Sequence, residues 1–239
     1  MDAIRFDNVS KKYKKILALD GISVCIRKGE IVGIVGVNGA GKTTFLKAIC
    51  GLVKVSGNIE VCGINVKKTP QVLKKIGALI EAPSIYPFLS GYENAKLIQN
   101  ISPECTEEDI DRVLDMVGLK ERSHEKTSGY SLGMKQRLGI ALSLLRSPEV
   151  LLLDEPTNGL DPVGIHDVRE IIKSYHNNTN ATIVISSHNL PEIQTVCDSF
   201  IFMDQGKIKR YLKKDNIETD LESEFLKIID KPYVETTEK

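Results

Sequence analysis

Nine consecutive residues, Gly36-Val37-Asn38-Gly39-Ala40-Gly41-Lys42-Thr43-Thr44, follow an apolar run directly and open a helical pattern that ends near Gly51. They match G-x-x-x-x-G-K-S/T in its strand–loop–helix context and so read as a phosphate-binding loop. Glycines let the backbone N–H groups turn inward around a β-phosphate, and the N-terminus of the following helix adds partial positive charge. Lys42 would reach the β- and γ-phosphates, and the Thr43 hydroxyl would ligate Mg2+. A second constellation lies 112 residues after Lys42, where Leu151-Leu152-Leu153 runs into Asp154-Glu155. Carboxylates at the end of a buried strand sit at the ligand edge of an open α/β sheet. There Asp154 would hold the Mg2+ water shell and Glu155 would polarise an attacking water. His188 follows Ser186-Ser187 at the end of a third apolar run and reads as a γ-phosphate contact on the same edge. His124, His166 and His176 stand in no comparable pattern and stay unassigned.

Positioning these groups requires strands and helices in alternation, and the sequence supplies them. Ile4 to Val9 and Ile22 to Ile26 alternate apolar with polar residues, as half-exposed strands do. Ile31 to Val35, Val150 to Leu153 and Thr182 to Ile185 are continuous apolar runs, as expected of strands covered on both faces. Thr106 is a good N-cap, with Glu107, Glu108 and Asp109 in the first turn. Behind it Ile110, Val113, Leu114 and Val117 share one helix face, and Gly118 occupies the C-terminal stop. From about Ser84 to Ser147 only helical patterns and loops occur, which predicts a helical subdomain inserted between strands. Beyond Asn216 one amphipathic segment (Leu221, Phe225, Ile228, Ile229) predicts a helix that docks on the core, followed by a fraying polar end. There is no internal repeat and no low-complexity segment.

Composition narrows the partners. The 239 residues are 41% hydrophobic and 27% charged, enough for one compact domain with a substantial core. Lys plus Arg and Asp plus Glu both number 32, which argues against a dedicated nucleic-acid binder. The charge is unevenly placed: residues 1–80 carry 14 basic and 5 acidic side chains, residues 81–200 carry 10 and 18. A basic front fits an anionic ligand, and it fits equally a set of solvated lysines such as Lys11, Lys12, Lys14 and Lys15. The apolar runs are far shorter than the ~18–20 residues a membrane span needs. Met1 leads straight into Asp2 and a strand pattern, so no signal peptide is expected. Five cysteines (Cys25, Cys50, Cys62, Cys105, Cys197) are scattered and form no C-x-x-C pair, as in a protein of a reducing compartment. A cytosolic protein is expected.

The segment Tyr130-Ser131-Leu132-Gly133-Met134-Lys135-Gln136-Arg137, upstream of Asp154, makes a resemblance specific. Together with the motifs above it is similar to the ATP-binding subunits of ABC transporters, over nearly the whole chain. The family's L-S-G-G-Q signature corresponds to Tyr130 through Met134, matched at Ser131 and Gly133. Ser131 would cap a helix whose N-terminus can face a γ-phosphate. The resemblance implies that it does so across a dimer, from the opposite subunit. It also implies that Tyr13 stacks on adenine, although a tyrosine among lysines also suits plain surface. Asn158-Gly159-Leu160-Asp161 resembles the loop that communicates across the dimer, with Asp161 central. Glu81 stands where the family normally has a glutamine that contacts Mg2+ and couples to the membrane partner; a solvated loop carboxylate is the other reading. Within the family, the Glu81 and Ser131 segments resemble bacterial subunits of the bacitracin-resistance and lantibiotic self-immunity type.

The resemblance implies an α/β P-loop NTPase: a RecA-like parallel sheet core with an antiparallel β edge and an inserted helical subdomain. Residues 1–84 and 148–215 would form the nucleotide-binding core, 85–147 the helical signature subdomain, and 216–239 the C-terminal helix and tail. It implies ATP and Mg2+ as cofactors, a second copy of the chain as partner, and separate permease subunits at the inner face of the membrane. Nucleic acid is not expected as a partner. One rival is a soluble ABC-type ATPase serving protein or cofactor assembly. The other, a P-loop kinase or GTPase, lacks an Asn-Lys-x-Asp guanine motif here and leaves Ser131, Asp161 and His188 unexplained.

Overall fold

The computed structural model describes residues 1–217 and 220–229. A long hairpin, β1 (Asp2–Tyr13) and β2 (Ile16–Arg27), leads into β3 (Ile31–Val35) and α1 (Lys42–Ile49). Two short strands, β4 (Asn58–Val61) and β5 (Ile64–Asn65), precede β6 (Ile76–Leu79). Three helices follow, α2 (Gly91–Asn100), α3 (Glu107–Met116) and α4 (Leu132–Leu144). The chain then runs through β7 (Val150–Asp154), α5 (Pro162–Thr179), β8 (Thr182–Ser187) and α6 (Leu190–Gln194). It finishes with β9 (Ser199–Asp204), β10 (Lys207–Lys213) and α7 (Leu221–Ile229).

Two sheets result. The larger has the order β10-β9-β3-β8-β7-β6, parallel from β9 to β6, with β10 antiparallel at the edge. The smaller is antiparallel in the order β2-β1-β4-β5. Burial on both faces explains why β3, β7 and β8 read as unbroken apolar runs. Period two still operates inside them: Ile31, Val35, Leu151, Leu153, Ile183 and Ile185 enter one apolar cluster, while Val32, Ile34, Leu152 and Val184 enter another.

The first cluster continues without a break into the three helices through Leu138, Ile140, Ala141 and Leu144. The helical insertion therefore has no separate core; it shares one face of the central sheet. Its caps are local chemistry. Thr106 Oγ1 accepts from the Asp109 N–H at 3.2 Å and the Asp109 carboxylate accepts from the Thr106 N–H at 3.0 Å. That backbone donor, helped by Arg112, holds the Asp109 carboxyl below its ordinary range. Ser90 and Glu93 form the same reciprocal box on α2, and Gly118 adopts φ +65° just past α3.

Several elements exceed or escape the sequence reading. The half-exposed strands Ile4–Val9 and Ile22–Ile26 extend into the full hairpin, because each strand has a pairing partner well past its apolar stretch. Tyr13 consequently ends a strand. β4, β5, β9 and β10 were not legible as strands. α7 docks as expected: Leu221 is buried, the Phe225 ring lies 6.4 Å from that of Phe202, and Glu224 receives Arg210 at 3.3 Å. The fraying end expected after it lies outside the described residues. Among the described residues no helix is long and apolar enough to cross a membrane.

Candidate functional site

β3, β7 and β8 are neighbours in the parallel sheet, so the segments leaving their C-terminal ends meet at one edge. From β3 comes the 36–44 loop. At two of its glycines it passes too close to other backbone for a side chain: a Cβ on Gly36 would lie 2.5 Å from the Met203 carbonyl oxygen, and one on Gly41 would lie 2.4 Å from that of Ala18. Gly41 also sits at φ +109°, directly before the first turn of α1. The loop encloses a cavity of about 350 Å3 lined by residues 37–44, Ala18 and Glu155. Backbone N–H groups at a helix N-terminus, with a lysine among them, make this an anion site. Lys42 is buried, and its Nζ donates to the Gly36 carbonyl at 2.7 Å while standing 3.6 Å from Glu155 Oε1.

From β7 comes the acidic pair. Asp154 is buried and its Oδ1 accepts from the Ser186 hydroxyl at 2.5 Å. Glu155 turns into the left-handed region, φ +49°, with its N–H donating to the Ser186 carbonyl and hydroxyl at 3.1 Å each. The Glu155 carboxylate lies between two cationic or ionisable groups. Oε1 faces Lys42, and Oε2 lies 2.6 Å from His188 Nδ1 while accepting the His188 N–H at 3.3 Å. The set can hold a terminal phosphate between Lys42 and His188 and take a proton from a water beside Glu155. Thr43 and Asp154 offer the hydroxyl and carboxylate oxygens that suit Mg2+, which keeps several waters and binds through one or two carboxylates plus phosphates. Among the described residues no group of three or more His, Cys, Asp or Glu side chains is arranged to hold a metal.

The other expected residues lie elsewhere. Ser131 caps α4, its Oγ accepting from the Met134 N–H at 3.2 Å, and Asp161 caps α5, its Oδ1 accepting from the Gly164 N–H at 2.8 Å. Ser131, Gly133 and Asp161 line a second cavity of about 390 Å3, together with Gly159, Leu160 and Arg137. It has no lining residue in common with the phosphate cavity. Tyr130, in place of the signature leucine, is buried, and its hydroxyl donates to the Arg122 carbonyl at 2.6 Å. That burial pushes its hydroxyl pKa up.

Two expected contacts are not brought to the phosphate cavity. Tyr13 is exposed, with Lys11 Nζ 4.6 Å from its ring centroid. Glu81 is exposed in a left-handed turn, φ +67°, and pairs with Lys47. Lys47 lies one helical turn beyond Thr43 on α1, so the Glu81 carboxylate is held against that helix, outside the phosphate cavity. Sequence reasoning missed Ser186 as the residue that ties Asp154 to Glu155, and Lys47 as the partner of Glu81. The Ser186-Ser187 pair at a strand end was the available signal for the first.

Residues 19–158 match the ABC transporter family. The chain is 42% identical over 219 residues to the lantibiotic transport ATP-binding protein SrtF of Streptococcus pyogenes, spanning 90% of this chain and 94% of that protein. It is 40% identical to the bacitracin transport ATP-binding protein BcrA of Bacillus licheniformis, spanning 90% and 71%. Among solved structures, an ATP-binding subunit of an ABC transporter superposes with a TM-score of 0.85 at 27% identity, over 95% of this chain and 99% of that one. A dimeric post-hydrolysis state of the ATP-binding cassette MJ0796 bound to ADP and Pi superposes with a TM-score of 0.82 at 25% identity, over 90% and 100%.

Proposed function

The chain belongs to the ABC transporter family as an ATP-binding subunit, and on that premise we propose that it hydrolyses ATP as a dimer to drive a separate membrane permease exporting a peptide antibiotic or drug. The observation that carries the dimer is the pair of cavities without a common residue. One holds the phosphate loop, Lys42 and Glu155; the other presents a capped helix N-terminus with no phosphate loop of its own. A second copy would set the Ser131 and Gly133 cavity of one chain against the phosphate cavity of the other, with ATP between them. The cassette MJ0796, similar to this chain, is dimeric in a post-hydrolysis state bound to ADP and Pi.

Within each site the loop from Gly36 to Thr44 binds the phosphates, Thr43 and Asp154 would hold Mg2+, Glu155 takes the proton of the attacking water and His188 contacts the γ-phosphate. Mg2+ supplies charge neutralisation for the β- and γ-phosphate oxygens. Tyr13 stacks on adenine after releasing Lys11, and Asp161 lies at the dimer seam. Glu81, which pairs with Lys47, would offer the metal a further carboxylate oxygen. The export assignment rests on relatives named for bacitracin and lantibiotic transport. On this reading the chain works in the cytoplasm, on the inner face of the membrane through its permease, and the same relatives support it over an assembly ATPase. Co-purification from native membranes tests it: a polytopic membrane protein should accompany the chain, and cells lacking either should lose protection against a peptide antibiotic. A chain that hydrolyses ATP but recovers no membrane partner, with protection intact on deletion, would return the assembly ATPase.

A further inference from the structure

Between β7 and β8 the sheet sets the spacing only as far as the Asp154↔Ser186 pair. Beyond it both segments leave the ladder, Glu155 in a left-handed turn and His188 on an exposed stretch before α6. Their ends are nonetheless joined by one side chain. Glu192, half-buried on α6, accepts from the Thr157 hydroxyl through Oε2 at 2.6 Å and from the Asn189 side-chain amide through Oε1. Thr157 lies two residues past Glu155, and Asn189 is the residue after His188. A single carboxylate thus uses both oxygens to tie the two segments that carry the Glu155–His188 pair.

α6 is itself anchored. Leu190 and Ile193 are buried in the core, and the Leu221 N–H of α7 donates to Gln194 Oε1 at 3.4 Å. Thr195, just past α6, receives Arg169 of α5 at 3.1 Å. Glu192 therefore reaches both loops from a fixed platform. We propose that Glu192 is a positioning residue for hydrolysis, setting the distance between Glu155 and His188 through Thr157 and Asn189. It touches neither nucleotide nor metal; it acts through the pair. The inference rests on the ATPase reading for its kinetic consequence, while its geometric content stands without turnover.

Misplacing a reacting group by about 1 Å can lower a rate by ~10²-fold. Glu192→Ala should accordingly lower kcat by about 10- to 100-fold and leave KM for ATP within about threefold, because the phosphate loop is not touched. Thr157→Val should show a smaller loss of the same kind, and Thr157→Ser, which keeps the hydroxyl, should restore the rate. In a His188→Ala background the Glu192→Ala loss should shrink to about twofold, since the pair it positions is already gone. Independent losses that multiply, or a loss seen in KM with kcat kept, would overturn the proposal. If Glu192→Ala does not fold, Thr157→Val against Thr157→Ser carries the same test. Ring NMR of His188 in nucleotide-free protein reads the geometry directly. The Nδ1–Glu155 hydrogen-bond signature should be lost in Thr157→Val, and its persistence there would overturn the proposal even if the wild-type chain proved inactive toward ATP.

Discussion

Two glycines of the phosphate loop, Gly36 and Gly41, and the glycine of the Ser131 segment, Gly133, answer to different neighbours. A Cβ on Gly36 or Gly41 would collide with carbonyl oxygens of this same chain, at 2.5 and 2.4 Å. A Cβ on Gly133 would meet nothing nearer than Leu160 Cδ2 at 3.9 Å. The chain's own fold demands the first two and is indifferent to the third. Around the phosphate loop the charged groups also find each other internally, Lys42 with Glu155 and Glu155 with His188. Around Gly133 the exposed side chains of Leu132 and Val163 face outward. One region is complete within a chain, and the other is shaped for a surface the chain does not contain.

The largest expected effect tests whether the two regions meet. Glu155→Gln should bind ATP yet lose ~10²–10⁴-fold in hydrolysis, the contribution of a general base. With ATP persisting, the dimer should accumulate, as followed by size-exclusion chromatography. Only monomer, with ATP bound and permease present, would break the comparison. Lys42→Ala comes next. Losing charge-assisted hydrogen bonds to phosphate removes about 1.5–3 kcal/mol, or roughly 10- to 150-fold in affinity. Nucleotide titration of the isolated chain should show it, because this half of the site needs no second copy.

The two glycines sharpen the contrast at a smaller scale. Gly41→Ala should destabilise the fold by about 2 kcal/mol or more, from left-handed strain together with the clash against Ala18. Gly133→Ala should change stability by less than about 1 kcal/mol while weakening ATP-driven dimerisation. Thermal denaturation separates them, and equal losses of stability would erase the difference. Glu81→Gln carries the smallest expected change. It should keep nucleotide affinity and basal hydrolysis within about twofold, as exposed ion pairs contribute little. The ratio of transport to hydrolysis in cells carrying the permease should nevertheless shift, since a neutral amide replaces the carboxylate that pairs with Lys47. Unchanged coupling would return Glu81 to a solvated loop carboxylate.

Much of this molecule was legible without coordinates wherever the controlling interaction is local. The phosphate loop is a backbone conformation imposed by glycines a few residues apart, so its sequence pattern is its structure. Thr106 with Asp109, and Ser131 before Met134, are hydrogen bonds between residues three apart, and helix geometry allows no other reading. The buried strands announced themselves because burial on two faces requires unbroken apolar runs. What only the tertiary structure decided involves segments whose separation along the chain carries no information about distance. Strand order brought β8 between β3 and β7, which is why Lys42, Glu155 and His188 converge although well over a hundred residues separate the first from the other two. The same assembly placed Glu81 on Lys47, and kept Ser131, Gly133 and Asp161 in a cavity apart from the phosphates. It also put both segments of the Glu155–His188 pair within reach of Glu192. Side chains that meet through packing, and not through a repeating backbone, leave no period in the sequence to read.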